Sequence, residues 1–153
     1  MIALIQRVLK AEVEVDGHVV GAIASGLLAF VCAERRDLPT QCDALVRKVL
    51  GLRVFDDDRG RMSRALDAAG GGLLVVPQFT LAADTSRGAR PSFTPAAEPA
   101  LARALFEQFV SHAKALHGPV ESGRFGAHMR VSLINDGPVT LWLRVAPMGP
   151  EST

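Results

Sequence analysis

Gly26-Leu27-Leu28-Ala29-Phe30-Val31-Cys32 is a continuous apolar run with no polar residue on either alternate face. A run this short predicts a strand buried on both faces, at the centre of a sheet, rather than a helix. Just before it, Ile2 to Val8, Ala11 to Val15 and Val19 to Ile23 are rich in β-branched residues, and Asp16-Gly17-His18 separates the last two as a hairpin turn. Two or three antiparallel strands are therefore expected to open the fold. Just after it, Leu38, Cys42, Leu45, Val46, Val49 and Leu50 fall at the spacing of one helical stripe, with Asp43, Arg47 and Lys48 between them for solvent.

Further out, Asp56-Asp57-Asp58-Arg59-Gly60 reads as a solvated turn, because the later ligand positions and bidentate Glu of a Ca²⁺ loop are missing. Gly70-Gly71-Gly72 leads into the strand Leu73 to Val76. With no Gly-Lys-Ser/Thr and no helix following, it reads as a flexible lead-in and not a phosphate loop. Thr94-Pro95 resembles an N-cap and first helical residue, and Leu101, Leu105, Phe109, Ala113 and Leu116 carry the helix towards Gly118-Pro119. Two alternating segments close the chain, Met129, Val131 and Leu133 in one and Val139, Leu141, Leu143 and Val145 in the other, with Asn135 to Pro138 as a hairpin turn between them. The expectation is a single α/β domain over residues 1–145, with a mixed sheet system of about seven strands and two principal helices layered α/β/β, and a frayed tail over 146–153.

The chain has 153 residues, long enough to bury a core without a disulfide or metal staple. Its 48% hydrophobic and 22% charged composition excludes intrinsic disorder and fibrous repeats. A formal net charge of +1 gives little long-range attraction to a polyanion, so nucleic-acid contact has to come from local patches. Cys32 and Cys42 have no zinc or redox spacing and read as buried free thiols. The start Met1-Ile2-Ala3-Leu4-Ile5-Gln6-Arg7 reads as a strand and not a secretory signal, and no stretch is apolar for the roughly twenty residues of a membrane helix. A cytoplasmic protein with no membrane partner is expected.

A Gly-x-Ser-x-Gly string is absent, and His18, His112, His117 and His128 form no metal-binding pair, so they read as surface histidines and no metal is expected. Three other segments stand out: Pro77-Gln78-Phe79-Thr80 running on to Thr85, Arg87 to Phe93, and Asn135-Asp136-Gly137-Pro138-Val139-Thr140. Each alone has a structural explanation as a strand exit, a basic loop and a turn.

In combination they resemble the D-aminoacyl-tRNA deacylases, also called D-tyrosyl-tRNA deacylases. The matching strings are Met1 to Val8, Gln78 to Thr85, Arg90-Pro91-Ser92-Phe93 and Asn135 to Thr140, in order and along almost the whole chain. The resemblance implies an α/β homodimer with active sites at the subunit interface, no cofactor, no DNA partner, and the acceptor end of an aminoacylated tRNA as substrate. The implied reaction is hydrolysis of the ester of a D-aminoacyl-tRNA, and of mischarged glycyl-tRNA in many members. The family's Ser-Gln-x-Thr motif maps onto Pro77, Gln78 and Thr80, which with Phe79 are the implied catalytic segment. Its Gly-cis-Pro motif maps onto Gly137 and Pro138, which with Arg7 and Met129 are implied for substrate binding and chiral selection. Pro77 departs from the motif, since proline has neither the hydroxyl nor the N–H that a serine offers.

An aminoacyl ester is already activated, so placed main-chain donors and a fixed substrate suffice without a strong acid or base. The resemblance assigns the donors to the main chain near Phe79 and Thr80 and lets the terminal ribose 2′-hydroxyl assist the water. Thr80 as nucleophile would need a base that the sequence does not supply. Arg87 and Arg90, with Arg124 and Arg130, are candidates for tRNA phosphate contacts. Two alternatives stand beside this one: a related enzyme with a trans-proline that edits L-alanine from tRNA, and a non-catalytic tRNA-end binding module disabled by Pro77.

Overall fold

The computed structural model describes residues 1–147. Its elements in chain order are β1 (Ile2–Val15), β2 (His18–Ile23), β3 (Gly26–Cys32), α1 (Pro39–Gly51), β4 (Phe55–Asp56), β5 (Met62–Arg64), α2 (Leu66–Ala69), β6 (Gly72–Pro77), α3 (Pro99–Leu116), β7 (Val120–Ser122) and β8 (Arg130–Arg144), with a 3-10 turn over Phe79–Ala82 between β6 and α3. The α/β class and the mixed sheet are as the sequence implies. β1 runs antiparallel to β2, β3 and β8, whereas β3–β6 and β6–β7 are parallel.

The apolar run around Leu27 sits where its composition demands. Leu27, Ala29 and Val31 of β3, with Leu73 and Val75 of β6, face Cys42, Leu45, Val46 and Val49 of α1 and Leu105, Phe109 and Ala113 of α3. Leu28, Leu74 and Val76 point the other way, onto Val8, Ala11, Val13 and Val15 of β1. Period-two side-chain alternation thus gives a strand pair with apolar cover on both faces. On one side the cover is helical; on the other it is the second half of β1, bent over the sheet with β2 and β8.

Several local expectations need correction. Ile2 to Val8 and Ala11 to Val15 are one strand, because β8 pairs with β1 along its whole length, from Ile2 opposite Arg144 to Glu14 opposite Arg130. For the same reason the two closing segments are one strand, and Asn135 to Pro138 is not a hairpin turn. The register slips there, so residues Asp136 to Val139 bulge out opposite Arg7. Helix α3 starts at Pro99 instead of Pro95, since Phe93 to Ala97 is tied down by main-chain bonds to Ala33 and Arg35. The short elements β4, β5, α2, β7 and the 3-10 turn carry too few residues to show a period.

Gly70 to Gly72 is not a flexible lead-in. Gly70 closes α2 in the left-handed region at φ 69°, and Gly72 lies opposite Gly26 across the β3–β6 ladder. A Cβ on Gly26 would stand 1.9 Å from the Gly72 carbonyl oxygen. The two strands approach here at a distance that only a glycine at Gly26 permits, while a Cβ on Gly72 would meet the Ile23 side chain at 2.9 Å.

Of the histidines, His18 and His128 are exposed as expected, whereas His112 and His117 are half-buried and tie elements together. His112 Nδ1 lies 2.6 Å from Asp43 Oδ1, joining α3 to α1, and His117 Nε2 lies 2.8 Å from the Gly71 carbonyl. The Asp57 carboxylate accepts from the Arg59 and Arg61 N–H groups and from Ser63 Oγ, so it closes the β4–β5 hairpin. Cys32 and Cys42 are free and buried. No helix among the described residues is long and apolar enough to cross a membrane, and no cluster of three metal-ligating side chains occurs among them. Of the expected tail, only Ala146 and Pro147 are described; 148–153 lie outside the described residues.

Candidate active site

A recess of about 680 Å³ opens at the C-terminal ends of β3 and β6. Ligand sites in α/β sheets favour that end, where strands stop and loops diverge. Pro77, Gln78 and Phe79 form one wall, and the loop from Phe125 to Met129 forms another. Ala96, Ala97, Ala102 and Phe106 close the apolar side.

Pro77 is the last residue of β6 and lies opposite Val31. Its missing N–H costs the ladder nothing, because the Val31 carbonyl accepts from Gln78 N at 2.8 Å instead. The chain then turns sharply: Leu81 N donates to the Gln78 carbonyl at 3.3 Å and Ala83 N to the Thr80 carbonyl at 3.1 Å. The N–H groups of Phe79 and Thr80, at the first positions of this turn, have no hydrogen-bond partner among the described residues. They are main-chain donors beside the recess.

Thr80 Oγ1 accepts a hydrogen bond from Gln78 Nε2. No carboxylate or imidazole bonds to Thr80 among the described residues, so nothing there would deprotonate its hydroxyl. Beneath the turn, the Cys32 thiol donates to the Phe79 carbonyl at 3.4 Å. Burial pushes that thiol up to about 11, which keeps it protonated and a donor.

Two aromatic rings rim the recess. Phe79 and Phe93 meet edge-on, with centroids 5.1 Å apart, and both are largely exposed. An exposed aromatic pair beside an apolar cleft is a surface for a flat ring to stack on. The ionisable groups at the rim are Arg35, Glu98 and His128. Arg35 and Glu98 pair with each other at 3.4 Å. His128 is exposed and bonds to nothing among the described residues.

The structure therefore brings Gln78, Phe79 and Met129 together at one recess, with Thr80 adjoining. It places Arg7, Gly137 and Pro138 elsewhere, at the β1–β8 bulge. There the Gly137-Pro138 peptide bond is cis and both residues are exposed. Arg7, with 11% of its side chain exposed, donates from Nε to the Asp136 carbonyl at 2.9 Å and from Nη1 to the Val54 carbonyl at 2.7 Å. Asn135 clasps the same bulge: its Oδ1 accepts from Val139 N at 3.0 Å and its Nδ2 donates to the Val139 carbonyl at 3.1 Å. Arg87 and Arg90 lie on an exposed loop closed by main-chain bonds between Asp84 and Ser92 and are not among the residues that line the recess. Arg124 and Arg130 are likewise exposed. Phe93 entered the sequence reading only as the end of the segment Arg87 to Phe93, and Phe106 and Phe125 were not read as site residues, because an aromatic residue is more often core than site.

Fold and site define an α/β domain whose candidate centre offers main-chain donors and aromatic surface. The model of the family described as D-Tyr-tRNA(Tyr) deacylase matches residues 4–144, and the chain belongs to that family of hydrolases. Over 147 residues it is 59% identical to the D-aminoacyl-tRNA deacylase of Thioalkalivibrio sulfidiphilus (strain HL-EbGR7), covering 96% of this chain and 99% of that one. It is 58% identical to the D-aminoacyl-tRNA deacylase of Herminiimonas arsenicoxydans, at the same coverage. Among solved structures it matches one titled c-Myc DNA Unwinding Element Binding Protein, with TM-score 0.91, 34% identity and 95% and 99% of the two chains covered. A probable eukaryotic D-amino acid tRNA deacylase shares the fold, with TM-score 0.81 at 15% identity over 93% of this chain and 97% of that one.

Proposed function

We propose that this chain hydrolyses the ester of D-aminoacyl-tRNA, and of mischarged glycyl-tRNA, in the cytoplasm, releasing free tRNA and the amino acid. The observation that carries the reading is the pair of unpartnered N–H groups at Phe79 and Thr80 beside the recess, within a chain of this family. Water, assisted by the terminal ribose 2′-hydroxyl, adds to the ester carbonyl. The oxygen that gains charge is held by these main-chain donors. Collapse breaks the bond between the acyl carbon and the ribose oxygen, which leaves with a proton. Thr80 and Gln78 hold each other and so fix the turn.

The reading includes a homodimer in which Gly137 and Pro138 of one protomer reach the recess of its partner and reject an L side chain. Two features support it. Gly137 and Pro138 are exposed and do not line the recess of their own chain. Strand β8 pairs only with β1 among the described residues and exposes the apolar side chains of Ile134, Leu141 and Trp142, so its free edge is open to a second copy. Glycine, with no side chain, passes such a filter. The reading also assigns Arg87 and Arg90 to contacts with tRNA phosphates. The tests are turnover of D-Tyr-tRNA against L-Tyr-tRNA and L-Ala-tRNA, together with the solution mass. D-specific turnover by a dimer is expected. Hydrolysis of L-Ala-tRNA in preference, or binding without turnover, would replace the reading.

A further inference from the structure

The loop that forms the second wall of the recess is anchored at both ends but not in its middle. Gly123 N donates to the Val75 carbonyl at 2.9 Å, and Arg130 pairs opposite Glu14. Between them, among the described residues, the only main-chain bond from within the loop is Ala127 N to the Arg124 carbonyl at 3.3 Å. Phe125 stands in this span and lines two spaces at once. Its ring and that of Phe106, with centroids 6.3 Å apart, separate the recess from a groove of about 430 Å³ between α3 and β7.

Arg103 of α3 lies on the groove side of this partition. Its Cζ is 4.8 Å from the Phe125 ring centroid, within cation–π range. Its Nη2 would be the nearest atom, at 3.7 Å, to a Cβ on Gly126, the next residue, whose φ is 79°. Glu107, one turn along α3, lies 3.9 Å from Arg103 Nη1 and favours the same rotamer. A charged plane thus covers the outer face of a ring whose other side is the recess.

We propose that Arg103 is a positioning residue for substrate binding: its guanidinium holds the Phe125 ring as a fixed partition, so that the wall from Phe125 to Met129 meets the aminoacyl-adenosine end in one conformation. This rests on the function proposed above. It assigns to Arg103 no contact with the reacting atoms, so its loss acts on binding and leaves the chemical step alone.

A double-mutant cycle on D-Tyr-tRNA hydrolysis tests it, using wild type, Arg103→Ala, Arg103→Lys, Phe125→Leu and the Arg103→Ala/Phe125→Leu double variant. Arg103→Ala should raise KM about three- to fivefold, the range that an exposed cation–π contact supports, with kcat within about twofold. Arg103→Lys should restore most of it. In the Phe125→Leu background, Arg103→Ala should add nothing. An unchanged KM in Arg103→Ala overturns the proposal. So does an equal penalty in both backgrounds, which would make Arg103 a direct phosphate contact. If wild type fails to turn over D-Tyr-tRNA, the functional reading fails by itself. The ring signals of isotope-labelled Phe125 then decide the positioning claim: a shift in Arg103→Ala that Arg103→Lys reverses upholds it, and no shift overturns it.

Discussion

Arg7 Nε donates to the main-chain carbonyl of Asp136 at 2.9 Å, across the β1–β8 ladder at the point where its register slips. The Asp136 carboxylate lies 3.5 Å from the same nitrogen, while Nη1 holds the Val54 carbonyl. One guanidinium therefore ties the bulge bearing Gly137 and Pro138 to the segment that leads into β4. Five donors in a rigid fork suit this task where a lysine would not.

Arg7→Ala is expected to lower stability by about 1.5–3 kcal/mol, the range for hydrogen bonds to a charged group with low exposure. The larger effect should fall on stereoselectivity. The ratio of D-Tyr-tRNA to L-Tyr-tRNA turnover should drop by about tenfold or more, a change of about 1.4 kcal/mol between two bound states. Steady-state rates on both substrates and a urea melt check this. An unchanged ratio would confine Arg7 to scaffolding.

Thr80→Ala and His128→Ala should each keep appreciable deacylation, within about tenfold of wild type, because neither side chain has a partner that would make it a nucleophile or a base. Rates with circular dichroism as a folding control measure this. Loss of all activity in a folded Thr80→Ala would reinstate the hydroxyl as nucleophile.

Asp43 joins the two principal helices, accepting from Gln108 Nε2 at 3.0 Å and lying against His112 at 2.6 Å. The Gln108 and His112 hydrogen bonds hold its carboxyl below the usual carboxylate value. A group lowered on folding stabilises above its unfolded pKa of about 4 and loses that contribution as pH falls through the folded value. Asp43→Asn should therefore cost stability at neutral pH, and the gap to wild type should narrow steadily below about pH 4. Urea midpoints across that range decide it; a pH-independent gap would refute the linkage.

Burial pushes Cys32 up to about 11 and Cys42 up to about 12. At pH 8 the thiolate fraction of either is then on the order of 0.1% or less, so iodoacetamide should label the native protein at least about a hundredfold more slowly than a free thiol. Mass spectrometry should count two adducts after denaturation and none beforehand on the same timescale.

Much of the architecture was legible because it rests on local patterns. The run from Gly26 to Cys32 is apolar throughout and lies between two covered faces, and the helical stripe holds from Cys42 to Val49, whereas Leu38 sits at the N-cap of α1 and is exposed. The proposed catalytic segment from Gln78 to Thr80 was legible only through its likeness to a family, since main-chain donors leave no mark in side-chain chemistry. Long-range pairing was the blind spot. The slip opposite Arg7 turns an apparent hairpin at Asn135 to Pro138 into a bulge, and nothing within those residues says which partner strand will create it. Phe125 was missed for a related reason, as its place between two cavities depends on α3 packing behind it.

The approach of Gly26 to Gly72 has a bearing on how variation in this chain would be interpreted. At that crossing even one methyl group meets a peptide oxygen, so a saturation library would be depleted of every other residue at Gly26, as sharply as at any position touching substrate. Intolerance there records the spacing of two strands, and a tolerance map of this enzyme would mark Gly26 as vividly as the turn we propose for the chemistry.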